Sequence, residues 1–286
     1  MTKKALFYLT LTAIATGLAA VINKAGLNAG LNSLSFALMA TLIAAIIPFF
    51  YVIANLKEVK RIERKNWLYL ITLGVVHTGT ARFTLYIGQS LTSAMNVGFL
   101  QKTSVVFTAI FAYFMVRERI SRSQILPMVI PFVGVFLLTT SGHLQIPRAG
   151  DLLIVSTAMQ WGIGNSLAKI TMGKVPPNMI SALNIIIGAV FMLVVVFSLI
   201  GLNAFAAFLS GFWYVIASAM LMDIFVFAFF KGLDLSGPTR AVTFVLTSAV
   251  FCAMFAYLIL GERLSLIQGV GAIIILAGVY LLAKST

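Results

Sequence analysis

Few side chains in this chain can do chemistry, and most of those that can sit within long apolar runs. Arg82, Lys102 and Asp223 are the charged residues lying clearly inside such runs, joined by the titratable His77. A charge at the centre of an apolar layer costs about 2.5–3.5 kcal/mol on insertion scales, so each must face a cavity or a partner. Thr78, Arg82, Tyr86 and Gln89 recur at i, i+4 and i+7/8, which makes one face of a helix polar. Arg82 and Lys102 suit a carboxylate, and Asp223 suits an ammonium group or a proton. A permanent Arg82–Asp223 ion pair is the alternative. His77 is a second candidate for proton coupling, or else a hydrogen-bonded helix contact. Trp161 falls in the middle of a run, where it offers a flat wall or a cation–π surface. Asn165, like Gln160 and Asn184, either lines a site or holds helices together by hydrogen bonds. The candidate substrate-binding set is therefore Arg82, Asp223, Trp161, Tyr86, Thr78, Gln89, Lys102 and Asn165. His77 and His143 are the histidines and Cys252 the single cysteine, so no nucleophile–base set, metal centre or cofactor site is expected.

These residues are carried by an integral membrane protein. With 61% hydrophobic and 9% charged residues and a mean hydropathy of +1.06, the chain lies far from soluble composition. Apolar runs of bilayer length fall at about 5–23, 33–54, 67–88, 94–115, 124–141, 151–170, 179–201, 211–231, 239–260 and 266–283. The expectation is all-α, with ten transmembrane helices. The net charge of +13 does not indicate nucleic acid, because the basic residues occupy short breaks between runs and form no basic face. With the N-terminus inside, Lys24, Arg148 and Arg263 fall outside and most other lysines and arginines fall inside. That bias predicts cytoplasmic termini. The first run follows Lys3 and Lys4 and resembles a signal peptide, but Gly17 and Lys24 match Gly162 and Lys169 of the sixth run. It is read as a true first span.

Phe107 to Ser121, FTAIFAYFMVRERIS, returns as FCAMFAYLILGERLS at Phe251 to Ser265. The chain is thus two repeats, 1–143 and 144–286, of five helices each. Five is odd, so the second repeat enters the membrane inverted, and inverted repeats place a site near the midplane where they meet. Glu118-Arg119 and Glu262-Arg263 invite an acid–base reading, yet Ser121-x-x-Gln124 and Ser265-x-x-Gln268 are capping-box patterns. Glu118, Ser121, Glu262 and Ser265 are therefore expected to be structural turns, each Glu facing the positive start of the helix that follows.

A fourth span ending in Phe-x-x-x-Tyr-x-x-x-x-Glu-Arg-hydrophobic-Ser, with a Gly-rich fifth span after it, resembles the drug/metabolite transporter superfamily in its EamA-like ten-span branch. The resemblance is strong around 99–140 and 243–284 and weak in spans one, two, six and seven. It implies a cavity formed by spans one, three, four, six, eight and nine, with five and ten peripheral. The family often has a proline early in spans four and nine; here Ser104 and Ser248 stand there, without the usual source of a bend.

The function expected is secondary transport of a small polar organic solute across the cytoplasmic (inner) membrane by alternating access. An amino acid or related metabolite leads, since paired cations and a carboxylate suit a zwitterion. Export of cationic drugs or amines, and carriage of organic anions or sugar phosphates, are the alternatives. The expected partners are the lipid bilayer and the solute, with no nucleic acid. Ten spans can enclose a pathway in one chain, so a monomer is the default and a homodimer the alternative.

Overall fold

The computed structural model describes residues 1–92, 94–143 and 148–284, with the side chains of 94 and 95 left aside. The described residues form helical rods named here in chain order. These are α1 (Lys3–Asn28), α2 (Ser33–Ala54), α3 (64–91), α4 (94–116), α5 (Arg122–Thr140), α6 (Ala149–Met172), α7 (Pro177–Ile200), α8 (Phe212–Ser236), α9 (Pro238–Leu260) and α10 (Leu266–Lys284). Eight of these helices are long and apolar enough to cross a membrane. The remaining two, α3 and α6, carry most of the polar residues of the candidate site and match the expected third and sixth runs in position.

Local chemistry explains the ends. Thr2 Oγ1 accepts from the Ala5 amide and Asn32 Oδ1 from the amides of Leu34 and Ser35, which satisfies otherwise orphaned donors. Pro177 opens α7 where its missing N–H costs nothing. The Ser265–Gln268 capping box closes in both directions, at 2.9 and 3.3 Å. Its twin does not. Ser121 Oγ accepts from the Ser123 amide, while the Gln124 amide turns away to take the Arg240 guanidinium. An arginine on α9 outcompetes the local bond, which corrects the symmetric expectation.

α4 and α9 both break at mid-length with no proline near the break. A 3₁₀ turn over Gln101–Thr103 precedes Ser104, and α9 is interrupted between Val245 and Ser248. In both copies a threonine hydroxyl donates back three residues, Thr103 to Leu100 O (2.6 Å) and Thr247 to Phe244 O (2.8 Å). Such bonds compete with the regular helix ladder.

The two repeats interlock. α1 packs along α8 and α9 of the second half, and α6 packs along α3 and α4 of the first. α2 lies on α7 and α8, α7 also lies on α3, and α5 pairs with α10. The crossings repeat in detail. At Gly17 a Cβ would stand 2.8 Å from Cys252 N, and at Gly162 it would stand 2.8 Å from Phe107 C and Thr108 N. Only glycine permits this backbone approach, because the obstacle is main chain and cannot rotate away. α5 and α10 meet in the same way at Gly134 and Gly271, each of whose Cβ positions lies 2.7 Å from the other's carbonyl oxygen. Gly162→Val is therefore expected to abolish a monodisperse, folded detergent-solubilised protein by size exclusion. Gly173→Ala, where nothing lies within 4 Å, is expected to leave it intact.

Candidate functional site

The site is built on α3 and α6, which run antiparallel in contact. His77 packs on Gly164, Thr80 on Gln160, Thr84 on Thr157, and Gly88 on Gly150 and Ile154. Thr80 Oγ1 donates to Gln160 Oε1 (2.5 Å), Gln160 Nε2 donates to Thr84 Oγ1 (3.3 Å) and Ser156 Oγ (3.0 Å), and the Thr84 and Thr157 hydroxyls lie 2.7 Å apart. This polar zipper holds the two helices together where apolar packing has no hydrophobic drive. Periodicity of α3 alone could not show it, because Thr80 and Thr84 gain meaning only from residues eighty positions away.

α3 is not a plain helix. Gly74–Thr80 is a π-helical segment with His77 at its centre, and such segments recur at functional sites. The widened turn sends His77 toward α6 and α8, where its ring lies 5.6 Å from that of Phe230. It sends Thr78 toward α7, where Thr78 Oγ1 donates to Asn184 Oδ1 (3.1 Å) against Gly188. Asn165 Nδ2 donates to Thr108 Oγ1 on α4 (3.1 Å), and the imidazole lies beside this amide. His77 Nδ1 and Asn165 Oδ1 are both buried with no protein hydrogen-bond partner. At the junction of four helices these two atoms can pair with each other or with a guest.

Arg82 lies one turn further along α3. Its Nη1 donates to Thr41 Oγ1 on α2 (3.2 Å), and Thr41 in turn donates to Ala37 O (2.7 Å). The proposed ion pair with Asp223 is absent, and no carboxylate salt bridge to Arg82 occurs among the described residues. Asp223, on α8, is 8% exposed, and its Oδ1 has no partner. Lys102, at the break in α4, donates to Ser248 Oγ at the break in α9 (3.0 Å). The two interrupted helices thus meet through a hydroxyl, and this cation too lacks a carboxylate in the described residues.

Trp161 owes its direction to its neighbours. Gly162 and Asn165 face α4, while Thr157, Gln160 and Gly164 face α3. On a 100° wheel Trp161 falls between these sets, so it projects into the wedge between α3 and α4. Tyr86 is otherwise placed. It is 3% exposed and packs with Leu31, Phe36 and Met192 in an apolar cluster. Gln89 is half-buried on the last turns of α3. The structure thus gathers His77, Asn165 and Thr108 at one junction, places Trp161 in the wedge beside it, and directs Thr78 and Tyr86 into helix contacts.

The four turn residues also sort themselves. Ser265 caps α10, Glu262 makes an ion pair with Lys24, and Glu118 reaches across to Thr239 at the start of α9. Glu118 therefore serves the other half's helix and not the one that follows it, contrary to expectation.

Comparison with known proteins bears on the repeats directly. The EamA-like transporter family matches this chain twice, over residues 3–140 and again over 148–284. The chain belongs to that family. Among curated relatives of this EamA-like chain, an uncharacterized transporter of Methanothermobacter thermautotrophicus is 25% identical over 229 residues, covering 78% of this chain and 66% of that protein. The uncharacterized transporter YyaM of Bacillus subtilis is 22% identical over 223 residues, 76% of this chain and 73% of its own length. One crystal structure superposes with a TM-score of 0.77 over 99% of both chains at 13% identity, which speaks to the fold. In this EamA-like chain the α3–α6 zipper is a set of side-chain contacts between the two halves. The double substitution Thr84→Val/Gln160→Leu is expected to lower the apparent melting temperature in detergent, by an amount corresponding to about 1–2 kcal/mol.

Proposed function

We propose that this EamA-like chain is a secondary transporter with ten spans in two inverted repeats, moving a small polar organic solute by alternating access. The cargo carries a carboxylate, and an amino acid or related metabolite is its leading class. The observation carrying this reading is that Arg82 and Lys102, both interior, are each answered by a single hydroxyl, from Thr41 and Ser248. A guanidinium has five donors in a planar fork, so an interior arginine with one hydroxyl partner has most of its capacity left for an anionic guest. His77 Nδ1 and Asn165 Oδ1, with no other protein partner among the described residues, provide a position for a polar group of the same solute, with Trp161 as its wall. Lysines and arginines crowd the ends of the rods assigned to the inside, which supports a cytoplasmic-membrane protein with both termini in the cytoplasm.

Uptake of labelled amino acids into proteoliposomes tests the assignment. Arg82→Ala is expected to abolish uptake while size exclusion and melting temperature stay near those of the parent. Normal uptake by that variant would sink the role given to Arg82, and competition by amines or sugar phosphates in place of amino acids would reassign the cargo.

Asp223 supports proton coupling as a distinct element of the mechanism. Its buried Oδ1 lacks a partner and lies apart from the Arg82 ion-pair position, so the group is available to take up and release a proton as the cavity changes face. An imposed pH gradient is expected to drive accumulation in the parent protein. In Asp223→Asn the same gradient is expected to drive none, with exchange of internal for external solute preserved.

A further inference from the structure

α4 and α9 end in the same turn, residue for residue. Arg117 and its equivalent Gly261 both take the left-handed conformation, at φ 59° and 70°. The amides of Glu118 and Glu262 then reach back to Ala112 O (3.0 Å) and Ala256 O (3.3 Å), so the two carboxylates leave equivalent backbones. Their partners differ. Glu262 makes an ion pair with Lys24 on α1, the helix that crosses α9 at Gly17. The equivalent helix crossing α4, at Gly162, is α6, and its equivalent lysine is Lys169.

Glu118 nevertheless leaves Lys169 alone. Its Oε2 accepts from the Thr239 hydroxyl (2.7 Å) and amide (3.3 Å) at the first turn of α9, and its Oε1 lies 2.7 Å from where a Cβ on Gly237 would be. Thr239 is 2% exposed, so the carboxylate answers a buried hydroxyl. Lys169 is held instead by Asp234, through the carbonyl (2.7 Å) and the carboxylate (3.5 Å). Gln124 and Arg240 reinforce the same seam. One carboxylate of the pair thus joins the two halves across the start of α9, while its twin joins the other crossing by an ion pair.

We infer that the Glu118–Thr239 contact is an exchangeable latch: in the other conformation of the carrier Glu118 leaves Thr239 and pairs with Lys169, reproducing the arrangement of Glu262 with Lys24. The inference rests on the reading of the chain as an alternating-access carrier, in which each repeat takes up the conformation now held by the other. A charged helix cap and a partly exposed ion pair have similar small worth, so trading one for the other leaves the two states close in free energy, as a two-state element requires.

The test uses spin labels at Arg119→Cys and Leu235→Cys, on either side of the latch, in a Cys252→Ser background, with distances measured by pulsed electron resonance in proteoliposomes. Glu118→Gln can still accept from Thr239 but cannot pair with Lys169, and it is expected to raise the population at the distance of the Thr239-held state by about threefold. Lys169→Gln gives up Asp234 in the one state and Glu118 in the other, so it is expected to move the ratio less than Glu118→Gln does. Thr239→Val is expected to shift the ratio the opposite way, and Thr239→Ser to restore it. An unchanged distribution in Glu118→Gln, or in a Thr239→Val that still elutes as folded protein, overturns the latch. A single distance in every variant alongside intact solute uptake removes the latch and leaves the transporter reading standing; two exchanging distances without uptake of any solute do the reverse.

Discussion

The close crossing of α1 on α9, and of α6 on α4, is the constraint on which the rest of this molecule depends. At Gly17 and Gly162 the main chains approach until a single methyl group would overlap backbone atoms. Those contacts exchange the first helix of each repeat into the body of the other. A five-helix half therefore has no complete packing of its own, and the interior exists only where both halves contribute.

Within that frame the polar residues divide by task. Thr80, Thr84, Thr157 and Gln160 bind α3 to α6, and Thr78 with Asn184 binds α3 to α7. In lipid such bonds replace the hydrophobic drive that would hold helices together in water. Arg82, Lys102, His77, Asn165 and Asp223 keep capacity unspent, as do single amide atoms of Asn23, Asn178 and Asn184. The transport site proposed above needs this economy, because groups already saturated by protein have nothing to offer a solute.

The halves are copies in outline and differ in detail. The π segment around His77 belongs to α3 alone among the equivalent pair, since α8 runs as a continuous α-helix of 25 residues. The turns after α4 and α9 share their backbone but send their carboxylates to different partners. Duplication supplies the architecture, and single side chains set the two halves apart.

The apolar runs, the repeat from Phe107 to Ser121 at Phe251 to Ser265, and the identity of the interior charges were all legible along the chain, because hydropathy and repetition are properties of neighbouring residues and fixed offsets. So was the family. The paired breaks before Ser104 and Ser248 form without proline, since Thr103 and Thr247 repeat at the same offset and donate back to the helix through their hydroxyls. Other outcomes were decided in three dimensions. Whether Arg82 meets Asp223 or Thr41, whether Gln124 closes its own capping box or takes Arg240, and whether Glu118 faces its own helix or Thr239 are competitions between a local partner and one brought by folding. Sequence spacing states the local option, and only the packed structure supplies the rival.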